Sequence, residues 1–291
     1  MTPHIALIIV LALPLAAGAQ ARPQMTPEER AAQAKQRYEA ALATPRPIAA
    51  HDTVWLEELT YLEARDAIKG GKTTALVFAG STEQNGPYLP GAKHQIALRL
   101  VAEPIARKLG NALIAPIIPL EAGNPDNPYM NWGSLYLTRD TFQAVLRDVA
   151  TSLKSQGFTH IILMGDSGGD VAGLRAVAQE LSAKWAGTPA IHHVPEFYNW
   201  GTPGGVRDFI TRNGIDEKFD SDGIHDEYAI TAVMMLADPK HVRLDERIAA
   251  GKATINGVDI LPKEKTIEMG RKIIEFRADN AVAAIRKVVG Q

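Results

Sequence analysis

The feature of this sequence that most restricts its fold is an alternation between short apolar runs and longer amphipathic stretches. Turn residues bound each apolar run, as expected for a buried strand, and apolar residues recur along each amphipathic stretch at the spacing of one helix face. This alternation predicts an α/β fold with a mostly parallel sheet covered by helices. The predicted strands are residues 73–79, 112–118, 160–164 and 190–197. The predicted helices include residues 96–105, with Pro104 expected to kink or restart the helix, 142–153 and 267–285.

Residues 1–21 have the pattern of a secretory signal peptide. Residues 5–18 are almost entirely apolar, and Ala19-Gln20-Ala21 is a small-x-small cleavage pattern. The apolar run is shorter than the roughly 20 residues that cross a bilayer, so a removed signal is favoured over a permanent membrane anchor. We therefore expect an exported, periplasmic protein.

The remaining chain is expected to form a short N-terminal segment and one domain. Residues 22–50 predict a helix and a linker, closed by Pro45 and Pro47. Residues 51–291 contain the alternating pattern and are long enough for one large α/β domain.

Composition narrows the possible partners and ligands. The net charge is −2, with both signs interspersed, which argues against a nucleic-acid or anionic-membrane surface. After signal cleavage we expect no membrane contact, and the predicted partners are small molecules or identical subunits. The chain has no cysteine. A metal would therefore need ligands from His, Asp, Glu or neutral oxygens.

Three loops contain the candidate chemistry, because the crevice of an open α/β sheet lies at the carboxyl ends of its strands. They are residues 80–94, 165–170 and 222–227. The first reads GSTEQNGPYLP at residues 80–90 and closely resembles the creatininase family signature G-S-T-E-Q-H-G-P-H-L-P. Three further segments resemble family motifs in the family's order: Trp132-Gly133-Ser134-Leu135, Gly168-Gly169 and His225-Asp226-Glu227.

The resemblance implies a creatininase-like three-layer α/β/α sandwich and a homo-oligomer, commonly a hexamer. It also implies hydrolysis of a C–N bond in a small cyclic or linear amide, with one or two divalent metals. By position, Glu83 matches the family's first glutamate ligand. Asn85 stands where the family has its next ligand, a histidine. The family's metal-bridging aspartate falls on His94, and its loop histidine falls on Ser167, beside Asp166.

A neutral imidazole offers one lone pair and cannot bridge two ions, so His94 predicts at most one bound metal. We expect Glu83, His94 and Asp166 to hold one divalent ion, zinc, manganese or iron, with His225 or Glu227 as a fourth ligand or base. Water on that ion would attack the amide. Asn85, Tyr88, Tyr129 and Trp132 are the predicted substrate-binding residues, with the three aromatic side chains forming pocket walls.

Each assignment has a structural alternative. Glu83 could cap a helix, and His94 could be a surface helix residue. Asp166 and Ser167 could bond loop amides, and His225 could simply begin a helix. A chain that has lost two family ligands could also be a catalytically silent protein that binds a ligand or has a structural role.

A second enzymatic alternative rests on residues 165–169, which read GDSGG and match the nucleophile string of trypsin-like proteases. That chemistry belongs to an all-β double barrel, whereas this string follows a predicted strand and precedes a predicted helix. A serine after a strand and before a helix also resembles a nucleophile elbow, so a serine hydrolase using Ser167 and His225 remains an alternative.

Overall fold

The structure is a computed structural model that describes residues 25–129, 132–218 and 225–290. The predicted signal peptide lies outside the described residues. Within the described part of the chain, no helix has the length and apolar character that a membrane span requires.

The described chain divides into two compact units, one that ends at Pro45 and one that begins at Arg46. In the first unit, helix α1 (Pro27–Ala43) starts at a capping box. Thr26 accepts a hydrogen bond from the backbone N–H of Glu29, and the Glu29 carboxylate accepts one from the N–H of Thr26. The helix has no buried residue and ends before Pro45.

The second unit contains the α/β architecture. Its helices are α2 (Tyr61–Lys69), α3 (Lys93–Leu109), α4 (Arg139–Ser155), α5 (Asp170–Lys184), α6 (Val206–Arg212), α7 (Tyr228–Ala237), α8 (Leu244–Ala249) and α9 (Lys263–Val289). Its strands are β1 (Thr74–Ala79), β2 (Ala112–Ile114), β3 (Glu121–Ala122), β4 (Tyr136–Leu137), β5 (His160–Gly165), β6 (Ala190–His193), β7 (Thr254–Ile255) and β8 (Val258–Asp259). Short 3₁₀ turns lie at Leu56–Glu58, Pro195–Phe197 and Pro239–Val242.

Four strands form the central sheet, in the order β2-β1-β5-β6, and every pair is parallel. All six residues of β1 are buried, because helices cover both faces of the sheet. Alternate residues of β1 and β5 therefore enter different cores. Phe78 and Met164 pack with α3, α7 and α9 on one face, and Val77 and Leu163 pack with α4 and α5 on the other. The predicted three-layer α/β/α sandwich is confirmed.

The four predicted strands all form, but two are shorter than predicted. The strand predicted at residues 112–118 ends at Ile114, since Pro116 cannot donate to a ladder, although Ile118 rejoins Ala79 through a single bridge. The strand predicted at residues 190–197 ends at His193, because Pro195 opens a 3₁₀ turn. Helix α3 continues through Pro104, which neither ends nor restarts it.

Candidate functional site

The site lies where the order of the strands reverses. From β1 the chain moves to β2 on one side of the sheet and later returns to place β5 on the other side. Ala79 and Gly165 pair at the ends of β1 and β5, so the two loops that follow leave the sheet side by side. This switch point is where open α/β sheets form their crevice.

A pocket of about 430 Å³ opens at this position. This volume suits a small ligand. Its lining contains side chains of both charge signs and the aromatic rings of Tyr198 and Trp200. The polar and aromatic lining residues are Glu83, Lys93, His94, Glu121, Ser167, Tyr198, Trp200, Arg207, His225 and Glu227.

Three side-chain nitrogens lie around one oxygen of Glu83. Its Oε1 lies 2.9 Å from Nε2 of His94, 3.1 Å from Nζ of Lys93 and 3.6 Å from Nδ1 of His225. Burial alone would raise the pKa of Glu83, but the His94 hydrogen bond and the Lys93 charge outweigh it and lower the pKa to about 2. Glu83 is therefore an ionised carboxylate and does not cap a helix.

His94 lies between two carboxylates. Its Nδ1 is 2.9 Å from Oδ2 of Asp166, and its Nε2 is 2.9 Å from Glu83. Burial would lower the pKa of His94, but the two hydrogen bonds raise it to about 9. An ionised carboxylate can only accept, so both ring nitrogens donate, and His94 is an imidazolium at neutral pH. His94 is therefore not a surface helix residue, since its side chain is buried.

Asp166 is fully buried, and both of its oxygens have partners. Oδ1 accepts hydrogen bonds from the Arg277 guanidinium and, at 3.0 Å, from the indole N–H of Trp200, while Oδ2 faces His94. Burial would raise the pKa of Asp166, but the Arg277 charge and the His94 hydrogen bond lower it overall. The alternative that this carboxylate bonds loop amides is not met, because side-chain donors occupy it.

Ser167 forms a hydrogen bond to a carboxylate that we did not predict. Its hydroxyl donates to Oε2 of Glu121, which lies in β3. Burial raises the pKa of Glu121. Gly169 makes room for this carboxylate, since a Cβ there would lie 2.2 Å from Oε2 of Glu121. A serine hydrolase would need a hydrogen bond between Ser167 and His225. Among the described residues this hydrogen bond is absent, because His225 faces Glu83.

Asp170, the first residue of α5, is buried, and its carboxyl group interacts with the charge of Glu121. Burial and the nearby Glu121 charge raise the pKa of Asp170 to about 8. Its side chain is therefore largely protonated at neutral pH.

His225 and Glu227 line the pocket at the entry to α7. Glu227 is the N-cap residue of the helix, and His225 precedes it with a positive φ of 59°. The two residues therefore lie at the pocket, although the preceding residues 219–224 are outside the described part of the chain.

The four predicted substrate-binding residues do not line this pocket. The Asn85 amide donates to the carbonyls of Glu83 and Pro90 at 2.9 and 3.0 Å and so fixes its own loop. The Tyr88 ring packs 4.1 Å from the guanidinium carbon of Arg247. Tyr129 and Trp132 are 89% and 98% exposed, so this chain alone gives them no wall to form.

Comparisons with known proteins identify the family. The sequence profile of the creatininase family, described as creatinine amidohydrolase, matches residues 57–285. This chain belongs to the creatininase family. No curated protein matches it in sequence.

Solved creatininase structures share the fold. A crystal structure of creatinine amidohydrolase (creatininase) has a TM-score of 0.60 at 19% identity, covering 81% of this chain and 98% of its own. A structure described as "Creatininase Mn" has a TM-score of 0.59 at 20% identity, with the same coverage. A putative creatinine amidohydrolase from Bacteroides fragilis NCTC 9343 has a TM-score of 0.53 at 20% identity, covering 80% and 95%.

The donor set of this chain does not fit the metal that its family implies. The predicted triad does come together, but His94 has no free lone pair and Lys93 and Arg277 neutralise the two carboxylates. Within the described ranges, no group of three or more His, Asp or Glu residues is arranged to hold an ion. The predicted single-metal triad is therefore replaced, in this structure, by hydrogen-bonded ion pairs.

Among the site residues that sequence reasoning missed, Lys93, Glu121 and Arg277 were missed for different reasons. Lys93 could have been noticed, since it precedes His94 at the start of a helix. Glu121 follows an apolar run that ends in two prolines, and its two-residue strand gives no periodic signal. Arg277 lies far along α9, and only the tertiary packing of that helix brings it to Asp166.

Proposed function

We propose that this chain binds a small polar amide in the pocket at the ends of β1 and β5 and hydrolyses its C–N bond with its own side chains. Membership of the creatininase family supports the reaction class, and the size and mixed charge of the pocket support a small polar ligand. The observation that most supports this mechanism is Glu121, a buried carboxylate of raised pKa that faces the pocket beside the cations Lys93 and His94.

Glu121 has the properties of a general base. Its raised pKa brings it closer to the working pH than an ordinary carboxylate, and the Ser167 hydroxyl fixes its orientation. In the proposed reaction, water adds to the amide carbonyl carbon while Glu121 takes its proton. The C–N bond then breaks, and the leaving nitrogen receives that proton, so the products are a carboxylic acid and an amine.

Positive side chains stabilise the charge that forms on the carbonyl oxygen. Lys93 and His94 line the same pocket and are held in place by Glu83, so they do not need to reorganise during the reaction. His225 and Glu227 lie at the pocket where they can contact the substrate. Asn85, Tyr88, Tyr129 and Trp132 have no part in this proposal.

Turnover of a panel of cyclic and linear amides tests the proposal. Glu121→Gln is expected to lower kcat by about 10²-fold or more, the usual contribution of a general base. Glu180→Gln is the matched control, because Glu180 pairs with Arg147 on the outer surface, and it should leave turnover unchanged. Full activity of Glu121→Gln would reject the assigned base.

Binding without turnover is a second candidate, favoured by the ion pairs that occupy the family's ligand positions. A ligand that binds with micromolar affinity and is released unchanged would support it, provided that Arg207→Gln abolishes the binding.

Ser167 offers a third outcome. Labelling of Ser167 by a phosphonate reagent, with complete loss of turnover in Ser167→Ala, would favour the serine hydrolase instead.

We also propose that the chain is exported to the periplasm and forms a homo-oligomer, with the hexamer that the family resemblance implies as the expected state. The signal pattern of residues 1–21 supports export, and the family resemblance supports assembly.

A further inference from the structure

Two carboxylates of the site, those of Glu83 and Asp166, are already paired with cations of the protein. Oε1 of Glu83 receives the Lys93 ammonium at 3.1 Å and the His94 ring at 2.9 Å, and Asp166 receives the other His94 nitrogen at 2.9 Å together with Arg277. Among these five residues, two carboxylates face three cationic side chains, and the neighbouring Glu121 is a further carboxylate at the pocket. A divalent ion placed among them would meet repulsion from the cations and would have to displace their hydrogen bonds.

Burial keeps this arrangement in place. The side chains of Asp166 and Arg277 are both 0% exposed, and those of Lys93 and His94 are 6% and 8% exposed. The Arg277 guanidinium lies between two rings, 4.3 Å from the Trp200 centroid and 4.7 Å from that of Phe197. Swinging these groups away to admit an ion would leave buried charges without partners.

The position of Lys93 and His94 in the sequence points the same way. They are the first two residues of α3, where the helix dipole disfavours positive side chains and favours carboxylates. The resemblance places an aspartate at position 94. A pair of cations at a helix start is unfavourable in isolation, and here Glu83 and Asp166 offset that cost.

We propose that Lys93, His94 and Arg277 take the electrostatic place of the metal, so that this family member folds and binds its ligand without a divalent ion. The row Lys93–Glu83–His94–Asp166–Arg277 is then an internal ion-pair chain. This inference does not depend on hydrolysis, because a site without metal can bind a ligand with or without turnover.

Metal content is the first test. Protein purified without chelator should contain less than about 0.1 zinc or manganese ion per chain by mass spectrometry. Titration with Zn²⁺ or Mn²⁺ should give no saturable heat and no rise in Tm, whereas tight binding to the native state would raise it. About one ion per chain that disappears in Glu83→Gln would overturn the proposal.

The protonation of His94 is the second test, and it is measured on the wild-type protein. In ¹⁵N-histidine-labelled protein at pH 7, both ring nitrogens of His94 should have imidazolium shifts, with the signal assigned by its loss in His94→Gln. An unprotonated nitrogen on His94 at pH 7 would overturn the proposal, because that nitrogen would be free to bind a metal.

A charge-reversed variant gives the positive control. The double substitution Lys93→Gln with His94→Asp leaves the ion-pair row with three carboxylates and one arginine. The net negative charge of this row would attract a dication. The folded double variant should bind Mn²⁺ in calorimetry, and adding Glu83→Gln should weaken that binding at least 10-fold. A folded double variant with no affinity for Mn²⁺ or Zn²⁺ would show that the cations are not what excludes the ion. Turnover is not a readout in these tests. Their failure would remove the metal-free mechanism, whereas hydrolysis itself is tested separately by the amide panel and Glu121→Gln.

Discussion

At the scale of single residues, His94 determines what this site can do. A histidine in a metal triad uses one nitrogen as a ligand and donates the other to a second partner. In this chain both nitrogens donate to carboxylates. The residue types that suggest a metal site in the sequence therefore form a salt-bridged row, and their types alone could not separate the two outcomes.

Removing one member of this row should be costly. Asp166→Asn leaves the fully buried Arg277 without its charged partner, and breaking a buried pair in this way costs about 3–5 kcal/mol. Urea unfolding measures the loss. The surface control Glu180→Gln should change the free energy of unfolding by no more than about 1 kcal/mol. Equal effects of the two substitutions would contradict the buried row.

The row should also make stability depend on pH in a defined direction. The pKa of His94 is raised from 6.5 to about 9, so its stabilisation is complete below pH 6.5 and is lost as pH rises through 9. Asp170, whose pKa is raised from 3.8 to about 8, favours the folded state less as pH rises over that interval. The pKa of Glu83 is lowered from 4.5 to about 2, so its contribution is lost as pH falls below 4.5.

Urea midpoints measured between pH 5 and 9.5 check this expectation. The wild-type midpoint should fall toward alkaline pH, and the fall should be smaller in His94→Gln. A wild-type midpoint that rises between pH 6.5 and 9 would contradict the assigned protonation of His94.

At the scale of secondary-structure elements, α9 matters because it brings Arg277 under the site. Gly270 lies two turns before Arg277 on the same helix face and allows α9 to approach α7 closely. A Cβ at position 270 would lie 2.2 Å from the backbone oxygen of Ala232. The close contact of the two helices therefore sets the position of α9 that brings Arg277 to Asp166.

Gly270→Ala should destabilise the protein although alanine favours helices by about 1 kcal/mol. Overpacking at this contact is expected to lower the free energy of unfolding by about 1–3 kcal/mol, measured by thermal or urea unfolding. Ala283→Gly, at an exposed position of α9, is the matched control and should lose only the propensity difference of about 1 kcal/mol. A more stable Gly270→Ala variant would reject the close contact.

The sequence was informative about elements and less so about contacts. Apolar periodicity located all four central strands and the long helix α9, because burial on a sheet or a helix face imposes a repeat on the sequence. It overextended β2 and β6, where Pro116 and Pro195 interrupt the pairing. The link from Arg277 to Asp166 joins residues 111 positions apart, and a local pattern contains no information about such a pair.

At the scale of the whole molecule, the strand order explains why one pocket collects residues from distant parts of the chain. The reversal between β1 and β5 places the loops after both strands together, and α3 and α9 pack on the sheet face beneath them. The position of the site was therefore predictable from the α/β pattern and the family motifs. Its charge balance was not, since Glu121 and Arg277 enter through tertiary packing.

The mature protein should begin at Arg22 if the signal pattern is used. N-terminal sequencing of protein recovered from the periplasm of an expressing bacterium checks this prediction, and light scattering of the same sample should show an oligomer. An intact Met1 in the cytoplasmic fraction would contradict export, and a monomer at micromolar concentration would contradict assembly.

The most direct test of the metal-free ion-pair row is a crystal structure of protein soaked with Zn²⁺ and Mn²⁺, with anomalous data collected at both absorption edges. The row predicts no anomalous peak between Glu83 and Asp166, with His94 remaining about 2.9 Å from a carboxylate oxygen on each side. An anomalous peak at full occupancy with a nitrogen of His94 as one ligand would contradict it.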